Sequence, residues 1–377
     1  MDLEEFLNEW HNDSDCVLVH TSGSTGEPKP LWVEKRRMEA SARITCSFLG
    51  LKSGDTALLC MSLDYIAGKM MVVRALTCGL RLVTVEPSGH PFSLDVRGAE
   101  SEERGVGNAD EALDGLLPPP STLLPPRKAI PLTEISFAAM VPMQVYNTLQ
   151  VPEERERLMQ VRHLIIGGGA IDDAMAAELR TFPNAVWSTY GMTETLSHIA
   201  LRRLSGPEAS EWYTPFDTVE VSLNADGCLV IDAPEVCPAV LVTNDRAEIA
   251  PDGRRFRIIG RRDNVICSGG VKIQIEEVER ALKPHLSFPY IITRCRDAKF
   301  GEAIVLLMQS DDVAMAREIC RRVLPRYWQP KHYLSVAAIP MTETGKPARK
   351  RAEQYAEGLV GQKGGRHKDR KTVLIMS

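Results

Sequence analysis

What the sequence lacks narrows the field first. Nine cysteines are scattered through 377 residues, and no two of them stand as a Cys-x-x-Cys pair. No histidines gather beside them at zinc-ligand spacing, so a structural zinc centre has no sequence support. Their odd number and irregular spacing fit reduced thiols in a cytoplasmic protein. Excess positive charge is missing too. Lys and Arg number 45 against 50 Asp and Glu, a net charge of −5, which supplies no global field to draw nucleic acid. No apolar run approaches the length of a membrane span. The first residues, Met1-Asp2-Leu3-Glu4-Glu5-Phe6, are acidic where a signal peptide is basic and then apolar. No internal repeat is present. What remains is an ordinary globular composition, 44% hydrophobic and 25% charged, with length enough for two domains.

The stretch that stands out is His20-Thr21-Ser22-Gly23-Ser24-Thr25-Gly26-Glu27-Pro28-Lys29-Pro30. Hydroxyls and glycines alternate ahead of one lysine, and the β-branched run Cys16-Val17-Leu18-Val19 leads in. Glycines let the chain bend tightly, and successive N–H groups in such a bend form an anion nest to which Ser and Thr add donors. Lys29 adds a mobile point charge. The composition suits a polyphosphate. It is not a Walker A loop, because no Gly-Lys-Ser/Thr follows at the required spacing. Taken alone, the same residues also suit a solvent-exposed hairpin turn.

Periodicity orders the rest. Residues 1–12 have helical spacing of Leu3, Phe6, Leu7 and Trp10, and Leu31-Trp32-Val33 is the second arm of a hairpin. A helix over 35–50 ends at Gly50, a strand covers 56–60, an apolar helix over 65–79 ends at Gly79, and a strand covers 81–85. That alternation predicts a parallel α/β sheet. Residues 86–131, rich in Pro, Gly, Ser and acids, read as a surface excursion with a short helix near 109–117. Strands then recur at 136–140, 163–166 and 185–188, with helices at 142–149 and 172–181. After residue 215, short strands between turns predict a small β-rich subdomain. From about residue 263 a second domain is expected, with helices at 275–283 and 312–323 and strands at 289–295 and 303–309. Residues 351–377 read as a helix and then a solvated basic tail.

Four more stretches carry polar, glycine-punctuated chemistry. Gly167-Gly168-Gly169-Ala170 at a strand end lets a flat ligand lie against the backbone, and equally suits a plain strand-to-helix connection. Tyr190-Gly191-Met192-Thr193-Glu194 places a ring, a hydroxyl and a carboxylate at a strand end, where α/β sheets bind ligands. The carboxylate suits Mg²⁺, and equally a helix N-terminus. Thr243-Asn244-Asp245, Gly260-Arg261-Arg262-Asp263 and Ser268-Gly269-Gly270-Val271-Lys272 offer an acceptor for ribose hydroxyls and a donor for sugar or phosphate. A turn with a surface ion pair fits those residues as well. Met341-Thr342-Glu343-Thr344-Gly345-Lys346-Pro347 is a Gly-Lys turn near the C-terminus.

Together, and in this order, these motifs resemble the adenylate-forming superfamily of acyl-CoA synthetases, peptide-synthetase adenylation domains and luciferases. The resemblance covers about residues 16–350. Within the superfamily the texture around Leu63–Gly68, Met140–Leu149 and Tyr190–His198 is most similar to o-succinylbenzoate–CoA ligases of menaquinone biosynthesis. The resemblance implies an α/β fold: a large N-terminal domain of mostly parallel sheets flanked by helices with a small β-rich subdomain, then a small mobile α+β domain. Its domains would be 1–262 (adenylation, truncated at its N-terminus because the phosphate loop begins at residue 20), 263–350 (a lid bearing the catalytic lysine) and the tail 351–377.

The implied activity is an AMP-forming acid–CoA ligase, with ATP, Mg²⁺ and CoA as cofactors and a small carboxylic acid as substrate. No nucleic-acid or membrane partner is implied, and a homo-oligomer is left open. Thr21, Ser22, Gly23, Ser24, Thr25, Gly26 and Lys29 match the family's β/γ-phosphate signature. Tyr190 and Gly191, with Gly168 and Gly169, match its adenine site, Thr193 its α-phosphate contact and Glu194 its Mg²⁺ ligand. Asp245 and Arg261 match the ribose site and Asp263 the hinge. Ser268, Gly269 and Gly270 match the pantetheine passage and Lys346 the catalytic lysine. Tyr65, Lys69, Arg74, Ser197 and His198 are candidates to meet the acid, although Lys69 and Arg74 also suit the wet face of a helix and His198 a structural histidine. The sequence departs from the family with Thr-Asn-Asp at 243–245 in place of Thr-Gly-Asp, and with Tyr65 where many relatives carry histidine. A carrier-protein thiol as acceptor, or a nucleotide-binding regulator without catalysis, are the alternatives. Retention of both Glu194 and Lys346 speaks against the second.

Overall fold

The structure, a computed structural model, describes residues 1–20, 30–93, 135–169, 171, 173–341 and 347–364. The phosphate-loop residues Thr21–Lys29, Ala170, Lys346, the helix expected near 109–117 and the end of the basic tail lie outside the described residues. The chain divides into two compact units. The first comprises Met1–Val221, Ile231–Leu241 and Ile249–Arg257, and the second Ser222–Val230, Val242–Glu248 and Ile258–Ser377.

The first unit begins with α1 (Leu3–His11), whose Asp2 side chain and Glu5 form a reciprocal capping box. A hairpin of β1 (Cys16–His20) and β2 (Pro30–Glu34) follows, paired from Cys16↔Glu34 to His20↔Pro30. Next come α2 (Lys35–Leu49), β3 (Thr56–Leu59), α3 (Ile66–Cys78) and β4 (Arg81–Thr84). Both helices stop at glycines in the left-handed region, Gly50 at φ 64° and Gly79 at φ 67°, where a side chain would be strained. The chain resumes with β5 (Phe137–Met140), α4 (Pro142–Leu149), α5 (Pro152–Gln160), β6 (His163–Ile166), α6 (Asp173–Leu179), β7 (Ala185–Gly191), β8 (His198–Arg203) and β9 (Thr214–Pro215).

These strands build a seven-stranded sheet in the order β4-β3-β5-β6-β7-β8-β9. It is parallel from β4 to β7, as the alternation predicts, and antiparallel at β8 and β9. β3 and β5 are buried at every position, the pattern of central parallel strands covered on both faces. Leu58, Ala138, Leu164, Ile166 and Val186 share one core with Val145 and Leu179. Each fully buried large side chain there contributes roughly 1.5–3 kcal/mol. α5 has no counterpart in the sequence reading. Its sequence, Pro152-Glu153-Glu154-Arg155-Glu156-Arg157-Leu158-Met159-Gln160, buries only Glu154 and Leu158, too thin a stripe for periodicity to reveal.

The β-rich part expected after residue 215 is a four-stranded sheet in the order β10 (Glu220–Leu223), β11 (Cys228–Asp232), β12 (Leu241–Ile249) and β13 (Phe256–Arg261). The second unit then contains β14 (Val265–Ser268), β15 (Val271–Gln274), α7 (Ile275–Leu282), β16 (Tyr290–Asp297), β17 (Gly301–Met308), α8 (Val313–Val323), β18 (His332–Ser335) and α9 (Arg349–Gly364). Its five-stranded sheet runs β15-β14-β17-β16 with β18 parallel to β17. α9 is more than the start of a tail. Ala352 and Ala356 are fully buried against Ile291, Val305 and Leu334. Arg349 grips Glu279 of α7 through two bonds of 2.6 Å. Among the described residues no helix is long and apolar enough to cross a membrane.

Candidate active site

In the first unit the chemistry gathers where β6 and β7 end. Gly167 leaves β6 with its N–H on the Met140 carbonyl, and a Cβ there would fall 2.4 Å from Thr189 Oγ1. Gly168 follows at φ 79°, and Gly169 is exposed. Next door, Tyr190 ends β7. Its ring lies 5.1 Å from Phe256, edge to face, and 5.7 Å from Tyr213. Tyr213 stacks on Phe256 and its hydroxyl bonds Ser188 Oγ at 2.9 Å. This trio holds the Tyr190 ring by packing. Tyr213 and Phe256 carry no motif and escaped the sequence reading. Only their bridge between Trp212-Tyr213-Thr214 and β13 betrays them.

The turn after Tyr190 is fixed by its backbone. A Cβ on Gly191 would fall 2.2 Å from the Ser197 carbonyl and 2.5 Å from His198 Cα. Thr195 Oγ1 accepts from the Met192 N–H at 3.0 Å and lies 2.8 Å from the Ser197 carbonyl. Leu196 takes φ 65°, a left-handed conformation costly for a side-chain-bearing residue and maintained by these contacts. The result is a short 3₁₀ turn, Thr193–Thr195, that leaves Glu194 exposed and Thr193 half-buried. Among the described residues no ion pair engages Glu194. Among those same residues no group of three or more His, Cys, Asp or Glu gathers there as a metal cage. One exposed carboxylate suits Mg²⁺, which keeps several waters and takes its other oxygens from phosphates.

The substrate candidates part company. Tyr65 is exposed at the start of α3. Lys69 and Arg74, one alternative for which was the wet face of a helix, are both buried, with 3% and 2% exposure. Lys69 Nζ donates to the Leu18 carbonyl at 2.9 Å and Glu9 at 3.2 Å, and sits over Phe6, tying α3 to β1 and α1. Arg74, Ser197 and His198 come together. Arg74 Nη2 donates to Ser197 Oγ at 2.7 Å, Ser197 Oγ meets His198 Nδ1 at 3.1 Å, and His198 Nε2 meets Thr45 Oγ1 at 3.2 Å. Thr45 Oγ1 donates to the Ser41 carbonyl at 3.0 Å. Those end points set every proton between them. Ser197 must donate to Nδ1, and a neutral His198 must carry its proton on Nε2. Burial, with Arg74 adding to it, pushes His198 well below its ordinary value, consistent with that neutral form. Burial also lowers Arg74 to about 10. Among the described residues its Nε has no partner and no carboxylate is bonded to it.

In the second unit Asp245 and Arg261 face each other across β12 and β13 at 3.8 Å, and Arg261 reaches Asp263 at 3.6 Å. Asn244 Nδ2 donates to Asp263 at 3.3 Å, and Thr243 Oγ1 accepts from the Asp245 N–H. Asp263 is the more exposed of the two carboxylates, 55% against 19% for Asp245. Gln274 buttresses the cluster by donating to the Arg261 carbonyl at 2.9 Å. Beyond it, Ser268 pairs with Val271 across a two-residue loop, Gly269 at φ 60° and Gly270 at φ 83°. Two positive φ angles in a two-residue hairpin define a type I′ turn. The Gly269 N–H rests on the Phe300 carbonyl.

No family model matches the chain. It is 31% identical to the solved structure of an acyl-CoA synthetase (AMP-forming)/AMP-acid ligase II-like protein from Dyadobacter fermentans, covering 93% of this chain and 92% of that one, with a TM-score of 0.57. It is 23% identical to the 2-succinylbenzoate–CoA ligase of Bacillus velezensis over 375 residues, 92% of this chain and 70% of the relative. The fold is shared with the o-succinylbenzoate coenzyme A synthetase of Bacillus subtilis solved with ATP and magnesium, at TM-score 0.67 and 20% identity, covering 89% of this chain and 69% of that one. With the ordered motifs and this fold, the chain belongs to the AMP-forming acyl-CoA synthetases of the adenylate-forming superfamily.

Proposed function

We propose that the chain is an o-succinylbenzoate–CoA ligase, joining that acid to CoA with ATP and Mg²⁺ in the cytoplasm. The observation that carries the reading is the turn at Tyr190–Glu194: a packed ring, a half-buried hydroxyl and an exposed carboxylate at the end of a parallel strand. The curated relatives named for this activity support the choice of acid.

The roles follow from the chemistry of each group. In the first unit Tyr190 offers a ring face, and Gly168 and Gly169 a flat backbone, for an adenine. Thr193 donates to the α-phosphate. Thr21, Ser22, Gly23, Ser24, Thr25, Gly26 and Lys29 take the β- and γ-phosphates. Glu194 holds Mg²⁺, which supplies charge neutralisation on the phosphates. In the second unit Asp245 accepts from the ribose hydroxyls and Arg261 holds Asp245 in place. Lys346 draws the acid's carboxylate towards the α-phosphorus and offsets the charge developing there, a positioning and electrostatic role. Asp263 serves as the pivot, and Ser268 with Gly269 and Gly270 gives pantetheine a passage without side chains. Tyr65 meets the acid. Arg74, Ser197 and His198 form the buried wall behind the turn.

ATP-dependent pyrophosphate release, measured over a panel of carboxylic acids with and without CoA, tests the reading. Release with o-succinylbenzoate and CoA-dependent turnover are expected. Release with fatty or amino acids alone overturns the choice of acid, and transfer only to a carrier protein overturns the choice of acceptor. Lys346→Ala is expected to slow adenylation by roughly 100-fold or more, while thioester formation from supplied acyl-adenylate continues. Equal loss of both steps would contradict this division of labour.

A further inference from the structure

A cavity opens in the first unit, away from every residue assigned above. It measures about 280 Å³ and is lined by Phe48, Trp187, Trp212, Arg203, Arg255 and Glu208, with Leu201, Ser210 and Thr214 between them. That is close to the lower edge of the roughly 300–1,000 Å³ typical of small-molecule pockets, room for one or two rings.

Strand geometry separates it from the Tyr190 turn. Side chains alternate between the faces of a sheet. On β7, Ser188 and Tyr190 point to the face where Tyr213 sits, so Trp187 points to the other. The register agrees. Trp187 is paired with Arg203 and Leu201 with Thr214, all four on the cavity, whereas Ser188 is paired with Arg202, whose guanidinium lies over Tyr213. The same three strands therefore present Tyr190 on one face and this cavity on the other.

The lining defines the ligand. Phe48 meets Trp187 edge to face at 5.5 Å, and the Arg203 guanidinium covers the Trp187 ring at 4.9 Å. Phe48 is itself exposed to solvent. Arg203 is steadied by the Ser205 carbonyl and hydroxyl through Nε, and its Nη1 is 3.7 Å from the well-exposed Glu208. Arg255 is tied at one edge to Asp252. Each guanidinium has one carboxylate partner, Glu208 for Arg203 and Asp252 for Arg255, but carries five N–H donors. Aromatic walls and fixed guanidiniums match a flat ring bearing one anionic acceptor group.

We propose that this cavity is a second ligand site for a planar aromatic monocarboxylate, its ring against Phe48 and Trp212 and its carboxylate on Arg203 and Arg255. The test is calorimetric titration of the full chain with 2-naphthoate, in the presence of saturating o-succinylbenzoate and α,β-methylene-ATP to occupy the reaction site. Saturable one-site binding is expected, at least tenfold tighter than that of the neutral 2-naphthamide. Phe48→Ala and Arg255→Gln should each weaken it at least fivefold without changing adenylation. Arg255 serves as the safer variant because its partner Asp252 is on the surface. Absence of saturable binding, equal affinity for the amide, or unchanged affinity in both variants overturns the proposal. Should the choice of acid above be wrong, the blocking ligands will not compete, yet the two variants still decide whether this cavity binds.

Discussion

Two parts of the nucleotide signature are held in opposite ways. The Tyr190–Glu194 turn is set by backbone: a glycine with no room for a side chain, a left-handed leucine and a threonine that bridges main-chain groups. The Asp245, Arg261 and Asp263 cluster is set by side chains, through charge contacts of 3.6–3.8 Å at a partly exposed surface. The first arrangement places Glu194 without engaging the carboxylate itself. The second places Asp245 by engaging it. Damage to the turn should therefore appear as lost stability, and damage to the cluster as lost affinity with the fold intact.

The largest test of that contrast is Gly191→Ala. Its new methyl would collide with main-chain atoms that cannot rotate away. A loss of about 3 kcal/mol or more is expected in urea unfolding, in the range of severe backbone and packing lesions. A loss below about 1 kcal/mol would show that the turn yields, and would erase the contrast. Asp245→Ala comes next. Losing a charged acceptor costs roughly 1.5–3 kcal/mol of binding, about a tenfold to hundredfold rise in KM for ATP, with an unchanged melting temperature. A fall in stability with KM unchanged would reverse the assignment.

The third test is pH. His198 is held neutral by burial, with Arg74 adding to it, so its folded pKa lies well below the ordinary 6.5. The unfolded chain binds the extra proton first, so stability is lost as pH falls through 6.5 towards the folded value. From pH 7.5 to 5.5 the loss is on the order of 1 kcal/mol. His198→Gln should flatten the pH dependence of unfolding by that amount, whatever it does to absolute stability. An unaltered slope would remove His198 as its source. The smallest effect is expected of Arg262→Ala. Arg262 pairs with Asp226 at 3.2 Å in the open, and such a pair is worth about 0.5 kcal/mol or less. A larger change would mean that surface charges on this unit act as a network.

Sequence made the framework visible where one rule sufficed. Gly50 and Gly79 marked the helix ends, and the largely apolar β3, β5 and β6 marked the centre of the sheet. The motif residues were readable because each must be one residue type at one spacing. What stayed hidden depended on partners distant in sequence. Lys69 and Arg74 looked equally suited to solvent until Glu9, Leu18 and Ser197 came to meet them from 51 to 123 residues away. The aromatic support of Tyr190 required Phe256 to return through a bridge to Tyr213. The helix expected from residue 351 is there as α9, but its burial through two alanines, too small to register as an apolar stripe, was not legible.

The Gly269–Gly270 turn has a consequence for chirality. A Cβ of the natural hand at Gly270 would meet no atom within 4 Å, so space does not forbid it; only the φ of 83° does. In a chain assembled by chemical ligation, D-alanine at 270 would adopt this backbone without strain, whereas L-alanine would not. At this position the protein distinguishes mirror images by main-chain torsion alone.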